Sequence, residues 1–243
     1  MPSREPDPRQ APGHIAGEAV ENLREHVRDA LTEVKPKFRG WLHAATAPLT
    51  LAAGIVLIAL SPNAATRVGS SIFAVSAVVL FTVSAVYHRG TWSPRTWGFL
   101  RRFDHANIFL LIAGSYTPFT LLLLEGRDRT ILLTVVWVVA GLGILFRIFW
   151  AGAPRWLYTP IYIGLGWAAI FYFADFVANA GTAVLTLMVV GGVLYTLGGL
   201  VYGLKKPNPS PAWFGFHEVF QTLTIVPLIT HYVGVSIATY SQR

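Results

Sequence analysis

Residues 84–119 read SAVYHRGTWSPRTWGFLRRFDHANIFLLIAGSYTPF and contain the turn between two long apolar segments. His88 closes the first segment, Asp104 opens the second, and four arginines lie in the turn or beside it. An ionisable group on the apolar side of such a turn needs a polar partner, because burying it alone is costly. A further histidine, His217, opens the last apolar segment of the chain. These three side chains define a candidate site if the fold brings them together.

The composition is that of an integral membrane protein. Of the 243 residues, 53% are hydrophobic and 13% are charged, whereas a soluble domain typically carries about 25% charged residues. The absence of cysteine excludes disulfides, thiolate nucleophiles and Cys-based zinc sites. The formal net charge of +7 is spread over the loops between apolar segments, which favours the positive-inside bias of membrane proteins over a nucleic-acid surface. We therefore expect membrane lipids as partners and no nucleic acid.

Seven segments are long and apolar enough to cross a bilayer, which takes roughly 20 residues in a helix. They are residues 41–60, 68–87, 106–124, 131–150, 156–177, 182–204 and 213–240. We therefore predict an all-α fold, a bundle of seven transmembrane helices without an internal repeat. Residues 1–40 are predicted to form a cytosolic N-terminal tail with a short amphipathic helix at 15–34, followed by the membrane domain at 41–243.

The distribution of Lys and Arg predicts the orientation of this bundle. With the N-terminus in the cytosol, fifteen of the nineteen Lys and Arg residues fall on the cytosolic side. The asymmetry persists when the N-terminal tail is left out. We therefore predict a cytosolic N-terminus and an external C-terminus. In this arrangement His88, Asp104 and His217 all lie at the cytosolic ends of their helices.

Ser84 and Gln221 extend the candidate site. Ser84 lies four residues before His88 and Gln221 four residues after His217, so each lies one helical turn from its histidine and on the same face. Two neutral imidazoles and a third donor suit a tetrahedral zinc that keeps one position for water. Zinc lowers the pKa of such a water to about 7. Asp104 is placed to hold this water and accept its proton, with Ser84 assisting through its hydroxyl.

Each of these residues also has a purely structural explanation. A histidine at the membrane interface is often only hydrogen bonded there and does not bind a metal. Asp104 can form an ion pair with Arg101 or Arg102 at a helix start. The Ser84 hydroxyl can bond to the carbonyl one turn earlier in its own helix.

Three further histidines are set aside. His43 is interpreted as an interfacial residue, and His105 points about 100° away from Asp104 on a helix. His231 lies fourteen residues after His217, which is roughly 21 Å deeper along the helix. The sequence HEVFQ at 217–221 lacks the second histidine of an HExxH metalloprotease motif.

The motifs above resemble those of the hemolysin III family, the bacterial branch of the progestin and adipoQ receptor (PAQR) superfamily. The resemblance rests on SAVYH at 84–88, RRFDHANIFLLIAGSYTPF at 101–119 and FGFHEVF at 214–220, and it covers residues 41–240. It implies seven transmembrane helices with a cytosolic N-terminus, in agreement with the Lys and Arg distribution. It also implies a multi-pass protein of the bacterial inner membrane.

The resemblance further implies a zinc ion near the cytosolic side. Two of its ligands correspond to His88 and His217. The third corresponds to Gln221, where relatives carry the second histidine of an HxxxH pattern. Asp104 matches an aspartate that contacts the zinc through water. Because an amide oxygen is a harder and weaker zinc donor than an imidazole, the site implied here is weaker than in the relatives, or lost.

The family resemblance gives three hypotheses for the function. The first is a role in membrane lipid homeostasis, with a zinc site at the cytosolic side. The second is a zinc-dependent, ceramidase-like hydrolase of a lipid amide or ester, with Asp104 and Ser84 as catalytic residues. The third is a membrane-permeabilising hemolysin, which has the least support because no span is lined with repeated polar residues.

Overall fold

The computed structural model describes residues 36–150 and 152–242, and the regular structure in these ranges is helical. The elements are α1 (Trp41–Ala59), α2 (Ala64–Arg89), α3 (Pro94–Leu123), α4 (Gly126–Phe149), α5 (Arg155–Gly166), a 3₁₀ turn (Ala168–Tyr172), α6 (Phe173–Asn179), α7 (Thr182–Leu204) and α8 (Phe216–Tyr240). In this part of the chain seven spans are long and apolar enough to cross a membrane. The predicted all-α, seven-span fold is therefore confirmed. The amphipathic helix predicted at 15–34 lies outside the described residues.

The third span begins twelve residues earlier than predicted, at Pro94 instead of residue 106. The side chain of Ser93 accepts the backbone N–H of Thr96 at 3.4 Å, and Pro94 occupies the first turn. Both features favour a helix start, because the proline lacks an N–H that would be unpaired there and the serine satisfies another. The arginine-rich stretch is therefore mostly helical, and Asp104 lies well inside α3.

The fifth span is interrupted, whereas the sequence predicts one helix over 156–177. α5 ends at Gly166, and the 3₁₀ turn Ala168–Tyr172 separates it from α6. The hydroxyl of Tyr116, from α3, donates to the carbonyl of Gly166 at 2.7 Å and accepts the N–H of Ala169 at 2.9 Å. These bonds satisfy backbone groups that the interruption would otherwise leave unpaired inside a membrane.

The helices enclose an apolar core and present apolar outer faces. The largest buried hydrophobic side chains include Phe73 and Phe81 of α2, Phe109 of α3 and Phe176 of α6. α3 packs most extensively on α2, and α7 on α8. Many large hydrophobic side chains on the outer faces are exposed, as expected of surfaces that face lipid.

Gly143→Ala is expected to destabilise the bundle, and Gly141→Ala in the same helix is the matched control. A Cβ at residue 143 would collide with the ring of Phe109, whereas one at residue 141 would meet nothing within 4 Å. Overpacking costs about 1–3 kcal/mol, while alanine at an unhindered helical glycine gains roughly 0.5–1 kcal/mol. The Tm in detergent should fall for Gly143→Ala only. Equal Tm values in the two variants would contradict the close packing of α3 and α4.

Candidate metal centre

One end of the bundle carries a buried polar cluster in an otherwise apolar interior. It forms where the end of α2, the first half of α3 and the start of α8 meet. Ser84 is 3% exposed, His88 8% and Gln221 0%. The side chain of Asp104 is 13% exposed. The cluster is thus largely withdrawn from solvent, and its polar atoms depend on one another.

His88 and His217 approach each other through their ring nitrogens. Their Nε2 atoms are 3.1 Å apart, and the ring centroids are 4.6 Å apart with planes inclined by 65°. Asp104 Oδ2 lies 3.9 Å from His88 Nε2, and the Ser84 side chain is hydrogen bonded to the Asp104 carboxylate. The structure therefore brings four of the predicted site residues together from three helices.

Asp104 does not form the alternative ion pair with its neighbouring arginines. Within the described ranges, the side chains within 4.0 Å that could pair with its carboxylate are His88 and His105. Neither Arg101 nor Arg102 is among these partners. The helix start that would favour such a pair lies at Pro94, well before Asp104.

Gln221 lies one turn after His217 on α8, and both atoms of its side-chain amide are buried without a hydrogen-bond partner in the described part of the chain. His43 of α1 lies beside the backbone of Gln221. It is 2% exposed, and neither ring nitrogen reaches full hydrogen-bond geometry with another described residue. Its ring packs edge-on against Phe81, with centroids 4.9 Å apart. Buried polar atoms are nearly always paired. Gln221 and His43 are therefore the part of the cluster whose polar atoms have the fewest hydrogen bonds.

The donors at this position are compatible with a zinc ion. Two nitrogen ligands of a tetrahedral zinc lie roughly 3.3 Å apart, close to the 3.1 Å between His88 and His217 Nε2. Asp104 adds a carboxylate beside this pair, with its Oδ2 3.9 Å from His88 Nε2. Residues 36–150 and 152–242 contain no three His, Cys, Asp or Glu side chains grouped for metal binding. Gln221, one turn after His217 on α8, is the further donor that the sequence predicts for this site.

The same geometry also suits a direct hydrogen bond between the two imidazoles. A neutral imidazole has one N–H donor and one acceptor nitrogen, so one Nε2–H can donate to the other ring across 3.1 Å. The two interpretations differ in their dependence on zinc. A measurement of bound metal decides between them.

Two histidines that were set aside from the sequence have definite places in the structure. His105 Nδ1 donates to the carbonyl of Arg101 at 2.6 Å, and its Nε2 therefore accepts the hydroxyl of Tyr202 at 2.8 Å. His231 lies deeper in α8, beside the carbonyl of Met188 at 3.3 Å. Neither ring nitrogen of His105 is left for a metal.

His43 is the residue that the sequence interpretation missed. The sequence predicts an interfacial position, whereas the structure buries His43 beside Gln221. The available signal is weak, since a single histidine in the first turn of an apolar segment has the same sequence context whether it faces the interface or the core. Its proximity to α8 is a tertiary feature that no local pattern encodes.

Glu218 has a structural role. Its carboxylate accepts Arg39 Nε at 2.6 Å and the N–H of Gly215 at 2.8 Å, and it is fully buried. One oxygen thus joins the segment before α1 to α8, and the other caps the start of α8. Both oxygens are engaged, which explains why the HE pair at 217–218 does not supply a free base.

An apolar cavity of about 400 Å³ opens beside the cluster, between α3, the fifth span, α7 and α8. Tyr202 and Phe220 line this cavity. The centroids of their rings lie 6.5 and 5.8 Å from that of His217. The cavity therefore reaches the edge of the polar cluster.

Comparison with known proteins identifies the family. The family model described as "Haemolysin-III related" matches residues 31–232. The chain belongs to this family. It is 32% identical over 198 residues to the "Hemolysin-3 homolog" of Bacillus subtilis (strain 168). The alignment covers 80% of this chain and 88% of that relative. It is 30% identical over 198 residues to "Hemolysin-3" of Bacillus cereus, with 80% and 85% covered.

A more distant relative connects the haemolysin-III related family to eukaryotic receptors. The "Adiponectin receptor protein" of Drosophila melanogaster is 27% identical over 181 residues, which are 68% of this chain and 41% of that protein. The predicted membership of the PAQR superfamily is thereby confirmed. Together with the seven apolar spans, the family match identifies a multi-pass membrane protein.

Proposed function

We propose that this haemolysin-III related protein acts in membrane lipid homeostasis through a zinc site at the cytosolic face of the bacterial inner membrane. His88, His217 and Gln221 would hold the zinc, and Asp104 and Ser84 would bind a water beside it. The observation that carries the proposal is the 3.1 Å separation of two imidazole nitrogens with a carboxylate 3.9 Å from one of them, inside an apolar bundle. Bound zinc would supply a Lewis acid at this position.

The cavity favours hydrolysis of a lipid amide or ester as a second candidate function. Its lining is almost wholly apolar, and its volume of about 400 Å³ suits part of an acyl chain. A lipid whose acyl chain lies against Tyr202 and Phe220 would have its polar end directed towards His217. Asp104 would then hold a water and accept its proton, and Ser84 would orient the carboxylate through their hydrogen bond.

Asp104→Asn tests the hydrolase function. We expect zinc-supplemented wild type in detergent to release fatty acid from a ceramide or an acyl ester, and Asp104→Asn to do so about 100-fold more slowly or worse. Asp128→Asn, at an exposed position in the first turn of α4, is the matched control. Absence of turnover by wild type, or equal rates in wild type and Asp104→Asn, would end the hydrolase hypothesis.

Lipid homeostasis is tested in cells. A deletion strain carrying an empty vector or a His88→Ala gene is expected to differ from wild type in acyl-chain order and lipid composition after a cold shift. Fluorescence anisotropy and lipid mass spectrometry measure the two quantities. Identical values in all strains would contradict the homeostasis role.

The names of the Bacillus relatives raise membrane permeabilisation as a further possibility for this chain. The cavity lining contributes no polar path across the bundle, since its polar surface is small. We therefore expect liposomes that contain the protein to retain a trapped dye. Rapid dye release would instead favour a lytic function.

A further inference from the structure

Arg147 is the largest fully buried side chain among residues 36–150 and 152–242, with 1% of its surface exposed. It lies in the last turn of α4, and its Nε and Nη1 atoms are buried without a hydrogen-bond partner among the described residues. A guanidinium stays charged in proteins, and a buried charge needs compensation. The position of Arg147 therefore favours binding of an anion.

The described residues provide no carboxylate for Arg147. The acid–base contacts within 4.0 Å in these ranges are Arg39 with Glu218, and His88 and His105 with Asp104. Arg147 instead has its Cζ 4.3 Å from the ring centroid of Tyr158. Such a cation–π contact recovers only part of the cost of removing a charge from water. Tyr158 thus orients the guanidinium without neutralising it.

A second arginine lies next to the same group of tyrosines. Arg155 Cζ is 4.7 Å from the ring centroid of Tyr202, and its Nη1 donates to the Tyr202 carbonyl at 3.2 Å. The hydroxyls of Tyr158 and Tyr202 are 3.1 Å apart. Two guanidinium groups therefore flank one hydrogen-bonded tyrosine pair. Guanidinium forks match the oxygens of phosphate in geometry and charge.

The surroundings of the arginine pair indicate the depth of lipid headgroups. Phe149 and Trp150 at the end of α4 are 82% and 52% exposed, and Trp156 at the start of α5 is 74% exposed. Exposed tryptophans are enriched at the membrane–water interface. The α4–α5 connection therefore lies where the phosphate groups of lipids lie.

We propose that Arg147 and Arg155 form a phosphate-binding site, and that the phosphate is the headgroup of an anionic phospholipid. Arg147 provides buried donors with no hydrogen-bond partner among residues 36–150 and 152–242, and Arg155 adds a second positive charge closer to solvent. The site does not depend on zinc. It is joined to the candidate metal centre through His105, which bonds to Tyr202 and lies 4.0 Å from the Asp104 carboxylate.

The test compares three ligands on the delipidated full chain in a neutral detergent. They are dioctanoyl phosphatidylglycerol, dioctanoylglycerol, which lacks phosphate, and inorganic phosphate. Native mass spectrometry or thermal shift measures binding. We expect phosphatidylglycerol to bind wild type at least about ten-fold more tightly than it binds Arg147→Met or Arg155→Gln. Dioctanoylglycerol should bind all variants alike.

Arg102→Gln is the matched control, because Arg102 is an exposed arginine in the first half of α3. It is expected to bind phosphatidylglycerol as wild type does. Arg155→Gln keeps the test decisive if Arg147→Met does not fold, since Arg155 is only partly buried. Equal affinity of wild type and Arg155→Gln for phosphatidylglycerol would overturn the proposal. Arginine-dependent binding of inorganic phosphate with equal affinity would support the phosphate site and overturn its assignment to a lipid.

Discussion

Gln221→His is expected to raise the affinity of the protein for zinc by about ten-fold or more. Gln221 is fully buried one turn after His217, and its two amide atoms have no hydrogen-bond partner within residues 36–150 and 152–242. A histidine there would place an imidazole next to His88 and His217. Imidazole suits zinc better than an amide oxygen does, and changes around metal ligands typically alter affinity 10–100-fold. Competition with a zinc chelator on the purified protein measures the change.

Two variants control this experiment. Gln221→Leu has a similar volume but no donor, and should bind zinc more weakly than wild type. Gln242→His adds a histidine at an exposed position after α8 and should leave the zinc affinity unchanged. Equal zinc affinity in wild type, Gln221→Leu and Gln221→His would show that residue 221 is not a ligand.

Glu218→Ala is expected to destabilise the folded protein by about 3–5 kcal/mol, the typical cost of removing one partner from a buried ion pair. Glu218 is fully buried, and its Oε1 lies 2.6 Å from Arg39 Nε. The substitution also leaves the N–H of Gly215 without its acceptor at the start of α8. A large drop in Tm in detergent is the predicted readout.

Glu218→Gln separates the two roles of this side chain. Its amide oxygen can still accept one hydrogen bond, so we expect a Tm between those of wild type and Glu218→Ala. Glu125→Ala is the control, because Glu125 is exposed and its side chain makes no capping bond, and such surface changes stay within about 0.5 kcal/mol. If Glu218→Ala unfolds at the wild-type temperature, the Arg39–Glu218 pair does not hold α8 to the segment before α1.

The seven spans could be predicted because hydrophobic length is a local property of the sequence. The start of α3 was missed because its signals, Ser93 and Pro94, lie in an arginine-rich stretch that looks like a loop. The interruption of the fifth span could not be predicted from its own residues. It is accommodated by the hydroxyl of Tyr116, a tertiary contact from α3.

The location of the candidate site could also be predicted, because alternate ends of antiparallel spans share one side of a bundle. This places His88, Asp104 and His217 at one depth. The burial of His43 and Arg147 could not be predicted. A histidine or an arginine near a span end has the same sequence context whether it faces water or the core, and only the packing of neighbouring helices separates the two cases.

The zinc content of the purified protein tests the proposed metal site most directly. Elemental analysis of wild type and His217→Ala, purified in the same detergent without added metal, gives the ratio of zinc to protein. We predict about one zinc per chain in wild type and almost none in His217→Ala, since a metal site that retains one imidazole and an amide is too weak to keep zinc through purification. Zinc-free wild type, or equal zinc in both proteins, would contradict a metal centre at His88 and His217 and favour the direct hydrogen bond between them.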